Sequence, residues 1–245
     1  MGTVIFPEKC GHAVFDAVSR KRKADKILGI LNNRGGIEGR KVLEIGTGSG
    51  YMSAHFAKAA GQSGSLSSVD VVDQREVKEG YAFQLVDGVK LPFENETFDV
   101  VISNHVIEHV GERNEQSLHL GEIFRVLIKG GFAYLATPNR YKPIEPHYNL
   151  PFLGIMPVKI AGFAVSTFGK GNGFEIRSFG PISLNRMAAG AGFSVESAVL
   201  EMVALSLNDS ALKFLSPIAE ALPGVFFRAL IPICPSFVIV LKKPA

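Results

Sequence analysis

Apolar residues recur along the chain in two rhythms. Short apolar runs cover Lys41–Ile45, Ser65–Val69, Tyr81–Val86, Phe98–Ser103, Phe132–Ala136, Phe193–Leu200 and Ser236–Leu241, the fourth of them rich in β-branched residues, and each reads as a strand. Between them lie stretches whose apolar residues repeat at helical spacing. These are His12–Asn33, Tyr51–Ala60, Glu115–Leu127, Pro181–Ala191 and a Ser210–Leu230 segment broken at Pro217 and Pro223. Arg34-Gly35-Gly36 and Lys129-Gly130-Gly131 supply the stops after the first and third. Strand and helix alternating at this spacing predict an α/β fold, with a mostly parallel sheet covered by helices on both faces. The rhythm breaks over Thr137–Arg177, which reads as an insertion or lid after the fifth strand.

Composition narrows this picture. A chain of 245 residues, 47% hydrophobic and 20% charged, has material for one sizeable core and is not a disordered polymer. A net charge of +3 is too small to argue for a nucleic-acid partner. Cys10 and Cys234 are far apart and lack metal-ligand spacing, so neither a disulfide framework nor a zinc ribbon is expected, and a reducing cytoplasm is.

The mean hydropathy of +0.20 raises the question of a membrane. The longest apolar stretch, Asn149–Gly169, carries Lys159 at its middle and two prolines, and Ala229–Leu241 falls short of the roughly 20 residues a spanning helix needs. The first residues lack the pattern of a signal peptide, and Phe6 stands where a myristoylation signal has Ser or Thr. No transmembrane segment is predicted. The basic run Arg20-Lys21-Arg22-Lys23 reads most simply as a solvated helix face, with an anionic membrane surface as the other reading.

The candidate chemistry begins where the first strand ends. Glu44 precedes Gly46-Thr47-Gly48-Ser49-Gly50, a turn that lets a ligand approach the backbone closely. Asp70, 20 residues after Gly50, closes the second strand where a carboxylate can accept both ribose hydroxyls of an adenosine cofactor. Tyr51 follows the turn at once, so the last G-x-x-G step that packs a helix beneath a pyrophosphate is missing. An acidic residue before the turn also repels a diphosphate but suits a cationic amino-acid end. A nicotinamide-dependent oxidoreductase is therefore the weaker alternative, and a non-catalytic module that keeps the cofactor fold is a third.

VLEIGTGSG (Val42–Gly50), VDGVKLPFENETFDVVISNHVIEHV (Val86–Val110) and RVLIKGGFAYLATPNR (Arg125–Arg140) together resemble class I S-adenosylmethionine-dependent methyltransferases over roughly residues 25 to 140. The resemblance implies a Rossmann-like, doubly wound, seven-stranded sheet whose last strand is antiparallel. One domain would then comprise a helical segment (1–36), a cofactor-binding core (37–138), the insertion (139–178) and the C-terminal part of the sheet (179–245). It implies S-adenosylmethionine as cofactor, with Gly46, Thr47, Gly48 and Gly50 shaping its turn and Glu44 near its amino end. Asp70 would take the ribose hydroxyls, Asp87 and the Gly88 backbone would read the adenine amine, and Asn104 would lie against the methionine portion. Asp99 is part of the same pattern, and a structural hydrogen bond is its expected role. Only 17 residues separate Asp70 from Asp87, which leaves room for one helical turn at most, at Asp73–Glu76, and keeps Asp73 open as the ribose ligand.

Methyl transfer to a hydroxyl needs a base, and His109 and His147 are the catalytic candidates. His105-Val106-Ile107-Glu108-His109 also matches the H-x-x-E-H zinc motif, but it follows directly on a strand rather than opening a helix. No metal site is expected there, with a divalent ion at His105, Glu108 and His109 as the minor alternative. The expected acceptor is a small molecule, most simply an oxygen nucleophile on an apolar, saccharide-linked or quinone-like compound. The apolar surplus concentrates in Leu150–Phe168 and Ala211–Ile233, where a lid over such an acceptor, a homodimer face or a peripheral membrane contact would each use it.

Overall fold

The computed structural model describes residues 16–145, 148–174, 176–208 and 234–245. Its helices are α1 (Ala17–Asn32), α2 (Tyr51–Ala60), α3 (Arg113–Val126), α4 (Val158–Thr167), α5 (Pro181–Gly190) and α6 (Val199–Asn208). Its strands are β1 (Lys41–Ile45), β2 (Ser65–Asp70), β3 (Ala82–Leu85), β4 (Phe98–Asn104), β5 (Leu127–Pro138), β6 (Ile144–Glu145), β7 (Leu150–Pro151), β8 (Ser194–Ser197) and β9 (Ser236–Lys242). Seven of them form one sheet in the order β3-β2-β1-β4-β5-β9-β8. The pairs among β1 to β5 are parallel, and β9 runs antiparallel to both β5 and β8. This is the doubly wound, Rossmann-like arrangement with an antiparallel last strand. The order reverses at β1 and β4, and in such sheets ligands bind off the carboxyl ends of the strands at that reversal.

The unbroken apolar runs follow from burial on both faces. Val42, Val100, Ile102, Phe132, Tyr134, Val238 and Val240 pack into one core under α1, α2 and α6. Their alternating neighbours Leu43, Val101, Ala133, Leu135, Ile239 and Leu241 pack into the other, under α3 and α5. Asp99 meets its expected structural role, accepting the Lys41 N–H at 2.8 Å and tying β4 to the start of β1.

Three elements differ from the sequence reading. The fifth strand starts at Leu127 rather than Phe132, because the chain leaves α3 directly in extended conformation and Leu127 pairs with Phe98. Gly130, at φ 75°, sits within a register shift of that strand rather than in a separate turn. Lys243 closes the α3 end, its Nζ donating to the Phe124 and Leu127 carbonyls at 3.0 and 2.7 Å. The Phe193–Leu200 strand stops at Ser197, and Val199 opens α6, an element that was not expected. Asp73–Glu76 forms no helical turn, since Asp73 instead chelates the Arg75 guanidinium, with Nε and Nη2 both at 2.9 Å. The Ser210–Leu230 helix, all of Ala211–Ile233, His12 and His147 lie outside the described residues.

The insertion has its own small core of Leu150, Leu153, Ala161, Val165, Phe174 and Ile176, built on the β6–β7 ribbon and α4. No helix among the described residues is long and apolar enough to cross a membrane.

One buried cation ties the end of α1 to the far side of the fold. The Arg34 side chain is 6% exposed and forks onto Glu201 at 2.7 and 3.0 Å, and it also meets Glu196 and the Ile30 carbonyl. Arg34→Met should lower unfolding stability by about 2 kcal/mol in urea titrations, the worth of charge-assisted bonds at a mostly buried site.

Candidate active site

The glycine turn lies at the carboxyl end of β1, between β2 and β4. Gly46, Gly48 and Gly50 all hold positive φ, at 86°, 55° and 82°. They do so for different reasons. A Cβ on Gly46 would stand 2.5 Å from Val106 Cγ2, and one on Gly50 would stand 2.1 Å from the Val77 carbonyl oxygen, so both are packed against the protein. No heavy atom of the described residues lies within 4 Å of the corresponding point on Gly48. Gly48 is thus the turn's open face. Its N–H donates to Asp70 Oδ2 at 2.8 Å, and the Val71 N–H donates to Oδ1 at 2.8 Å, which fixes the carboxylate beside the turn. With Asp73 held by Arg75, Asp70 is the carboxylate that stands beside the turn.

Beneath the turn Glu44 is buried, and its Oε2 accepts the Ser53 hydroxyl of α2 and the Ser68 hydroxyl of β2. Burial pushes its carboxyl up to about 8, against the opposing pull of those hydroxyls and of Arg20. The Thr47 and Ser68 hydroxyl oxygens lie 2.5 Å apart, continuing the chain of bonds into the turn.

Asp87 and Gly88 follow β3, and the Val86 N–H donates to the Asp70 carbonyl at 3.0 Å, so this stretch begins beside Asp70. Its far end is pinned by Arg125, which donates to the Leu91 and Phe93 carbonyls at 2.9 and 2.7 Å while pairing with Glu122. In the sequence Arg125 stands out only as the first residue of a motif, and no local signal marks this role. Asn104 ends β4 opposite Ala136. Its Oδ1 is buried without a hydrogen-bond partner among the described residues, as is Thr137 Oγ1 on the adjoining strand.

The H-x-x-E-H segment is no helix-borne zinc site. His105 takes a left-handed backbone, φ 59°, directly after β4, and only a 3₁₀ turn, Ile107–His109, follows. Among the described residues no group of three or more His, Cys, Asp or Glu side chains is arranged to hold a metal ion. What the turn does build is a buried carboxylate among bases. Glu108 is fully buried, its Oε1 lies 3.2 Å from His105 Nδ1, and its Oε2 has no partner among the described residues. Burial alone would raise this carboxyl, yet the bond to His105 and the charges of His105 and His109 bring it below its ordinary value.

Lys23 of α1 also feels Glu108, while its own burial and neighbouring Arg20 push it down to about 8. The basic run is therefore split. Lys21 and Arg22 are exposed, whereas Arg20 and Lys23 turn toward Glu44 and Glu108. Periodicity alone could not separate them. His119 is a packing residue, 3.2 Å from Ser103 Oγ and held neutral by burial, which lowers it to about 4. His55 pairs with Asp25 on the surface at 2.6 Å. Arg113, Arg140 and Arg177 gather where the insertion rejoins the core, Arg113 stacking 4.0 Å from the Phe179 ring.

Residues 43–135 match the family model described as a methyltransferase domain. An uncharacterised methyltransferase of Mycobacterium leprae is 34% identical over 114 residues, covering 44% of this chain and 41% of that protein. Demethylmenaquinone methyltransferase of Bacillus subtilis is 29% identical over 130 residues, covering 49% and 53%. The chain thus spans about half, or less, of the length of these curated relatives. Phosphoethanolamine N-methyltransferase 2 of Haemonchus contortus, solved with S-adenosyl-L-methionine, shares the fold with a TM-score of 0.54 at 18% identity, over 90% of this chain and 53% of that one. By its sheet order, its glycine turn and the matched stretch, the chain is similar to class I S-adenosylmethionine-dependent methyltransferases over residues 43–135.

Proposed function

We propose that the chain transfers a methyl group from S-adenosylmethionine to an apolar small-molecule acceptor of quinone-like character, with an oxygen nucleophile as first choice. One observation carries the cofactor assignment, namely the open face of Gly48 between a buried Glu44 and a backbone-fixed Asp70. The residues fit the group. The partnerless Asn104 Oδ1 is an acceptor suited to an ammonium, Glu44 supplies a carboxylate beneath the same turn, and Asp70 keeps lone pairs for a diol. Asp87 and Gly88 are available to the adenine.

When bound, the cofactor supplies a methyl group on a sulfonium, which an incoming nucleophile displaces in line. The protein's work is alignment and proton removal. We assign the latter to the histidines beside Glu108. Its carboxylate lies at hydrogen-bond distance from His105 Nδ1 and orients that ring, and His109 flanks the same charge. His147, the other candidate base, lies outside the described residues. The name of the Bacillus relative supports an acceptor of the quinone class. The protein incubated with methyl-labelled cofactor and fractionated cell extract should place label in the lipid-soluble fraction. Label confined to the aqueous fraction would overturn the acceptor class, and absence of any cofactor-binding heat from the folded protein would overturn the function.

Two substitutions separate turn geometry from ligand contact. Gly50→Ala forces a Cβ into the Val77 carbonyl at positive φ and should abolish or severely reduce folding. Gly48→Ala meets no atom of the described residues, so it should cost only about 1 kcal/mol of stability in denaturant titrations while abolishing cofactor binding by calorimetry.

Glu44 gives the binding reaction a pH signature. A carboxyl raised to about 8 is largely protonated in the free protein at neutral pH, and a cation beside it favours the ionised form. Binding should therefore release a proton near pH 7, and affinity should rise with pH until about 8 and then level. Calorimetry in buffers of different ionisation enthalpy reads this directly, and Glu44→Gln should remove the linkage. By the same sign, the free protein should lose stability as pH rises from the ordinary carboxyl range through about 8, and Glu44→Gln should flatten that slope.

A further inference from the structure

The insertion helix α4 is apolar on both sides. Its inner face, Ala161 and Val165, packs into the small core with Leu150, Leu153, Phe174 and Ile176. A surface helix ordinarily turns charged and polar residues outward. The outer face of α4 instead presents Phe163 and Ile160, 74% and 56% exposed, with Phe168 at 66% just beyond its end and Phe152 and Ile155 exposed just before its start. Elsewhere exposed apolar residues stand among polar neighbours. Leu118 sits between Asn114 and Glu122 on α3, and Ile182 beside Asn185 and Arg186 on α5. Among the described residues, only around α4 do exposed phenylalanines and isoleucines share one continuous segment.

Charge says what covers this face. From Tyr148 to Phe174 there is no Asp or Glu, and the only charged side chains are Lys159 and Lys170, both exposed. Lys159 lies on the outward side of α4, four residues from Phe163, where its stem can follow the apolar surface and its ammonium can reach out. Aromatic and aliphatic side chains combined with lysines and no acid are the chemistry of a helix lying in the headgroup region of an anionic bilayer. Ten residues make a helix about 15 Å long, half the hydrocarbon thickness, so the segment lies on a bilayer rather than across it.

We propose that the outer face of α4, with Phe152, Ile155 and Phe168, docks the protein on an anionic lipid surface. The insertion leaves the sheet after β5, whose carboxyl end borders Asn104, so the docking segment is joined to the same end of the sheet as the site. The surface assignment stands independently of the methyl-transfer reading, because its observations concern only the insertion.

The chain contains no tryptophan, so one can be introduced as a sole reporter. Phe163→Trp should show blue-shifted emission, quenched by brominated acyl chains, on vesicles of phosphatidylcholine mixed with phosphatidylglycerol. It should respond weakly to phosphatidylcholine alone, and a Leu118→Trp control should respond to neither. In co-sedimentation, Phe163→Ser with Phe168→Ser should weaken partitioning at least about tenfold, and Lys159→Gln with Lys170→Gln should weaken it on anionic vesicles only. All four side chains are exposed, so thermal midpoints should stay near that of the parent. No co-sedimentation of the parent, no emission shift from the Phe163→Trp variant or an equal shift in the control would overturn the proposal. So would concentration-dependent self-association without lipid that the Phe163 and Phe168 substitutions abolish, since a second copy would then be the occupant.

Discussion

A carboxylate buried beneath a backbone turn holds the site together. Glu44 carries the only acidic side chain within β1, and its Oε2 gathers the hydroxyl of Ser53 from α2 and that of Ser68 from β2. A carboxyl buried there without partners would cost free energy even when protonated, so the two hydroxyls are a condition of the fold as much as of the site. They also leave the carboxyl raised, and hence responsive to a cation. Around this group the turn is arranged in layers. Thr47 bonds back to Ser68, Gly48 bonds forward to Asp70, and Gly46 and Gly50 admit Val106 and the Val77 carbonyl where a side chain would collide. The left-handed backbone thus serves packing at two of the three glycines and an open face at the third.

The parallel core was legible in the sequence because two physical signals coincide there. Strands buried on both faces have no polar alternation, and glycines with acidic residues mark where those strands end. β1, β4 and α2 fall where the pattern places them, and Glu44, Asp70, Asp87 and Asn104 all come to the carboxyl ends of adjoining strands or the loops that follow. Boundaries failed where one signal stood for two events. Lys129-Gly130-Gly131 looks like a helix stop, yet the helix ends at Val126 without glycine and the glycine accommodates a shift within β5. Val199 and Leu200 extend the apolar run of β8, but they already belong to α6, whose inward residues cover the sheet beside α1.

The turn after β4 was less legible, and the reason is tertiary. Nothing in His105-Val106-Ile107-Glu108-His109 announces that Glu108 is fully buried, or that His105 meets it at hydrogen-bond distance through Nδ1. That outcome depends on a left-handed residue after β4 and on Gln116, which donates to the Ile107 and Arg177 carbonyls at 2.8 and 3.0 Å and clamps the turn against the end of the insertion. Lys23 and Arg20 likewise feel Glu108 and Glu44 only because α1 packs beside them in the folded chain. A run of four cations gives no hint that its members face opposite ways. Local pattern decides what a segment is, whereas electrostatic partners as distant in sequence as Lys23 and Glu108 require the packed chain.

Apolar surplus is ordinarily used up by burial, and here the described residues leave some of it outside. The sheet absorbs its share in two cores, and the insertion absorbs Leu150, Leu153, Ala161 and Val165 in a third. Had α4 served only to close over the cofactor half, its outer face would gain nothing from phenylalanine and would be more soluble with glutamate or glutamine. The exclusion of every acid from Tyr148 to Phe174 makes solvent-facing filler a poor account of the same segment. A surface that keeps lysine, rejects carboxylate and exposes aromatic rings is matched to an environment that is apolar at one depth and negative at another. On the proposed reading, an apolar acceptor carried in such an environment would reach the Glu108 side of the site without entering water, and the hydropathy of the insertion and the chemistry of that acceptor would share one physical origin.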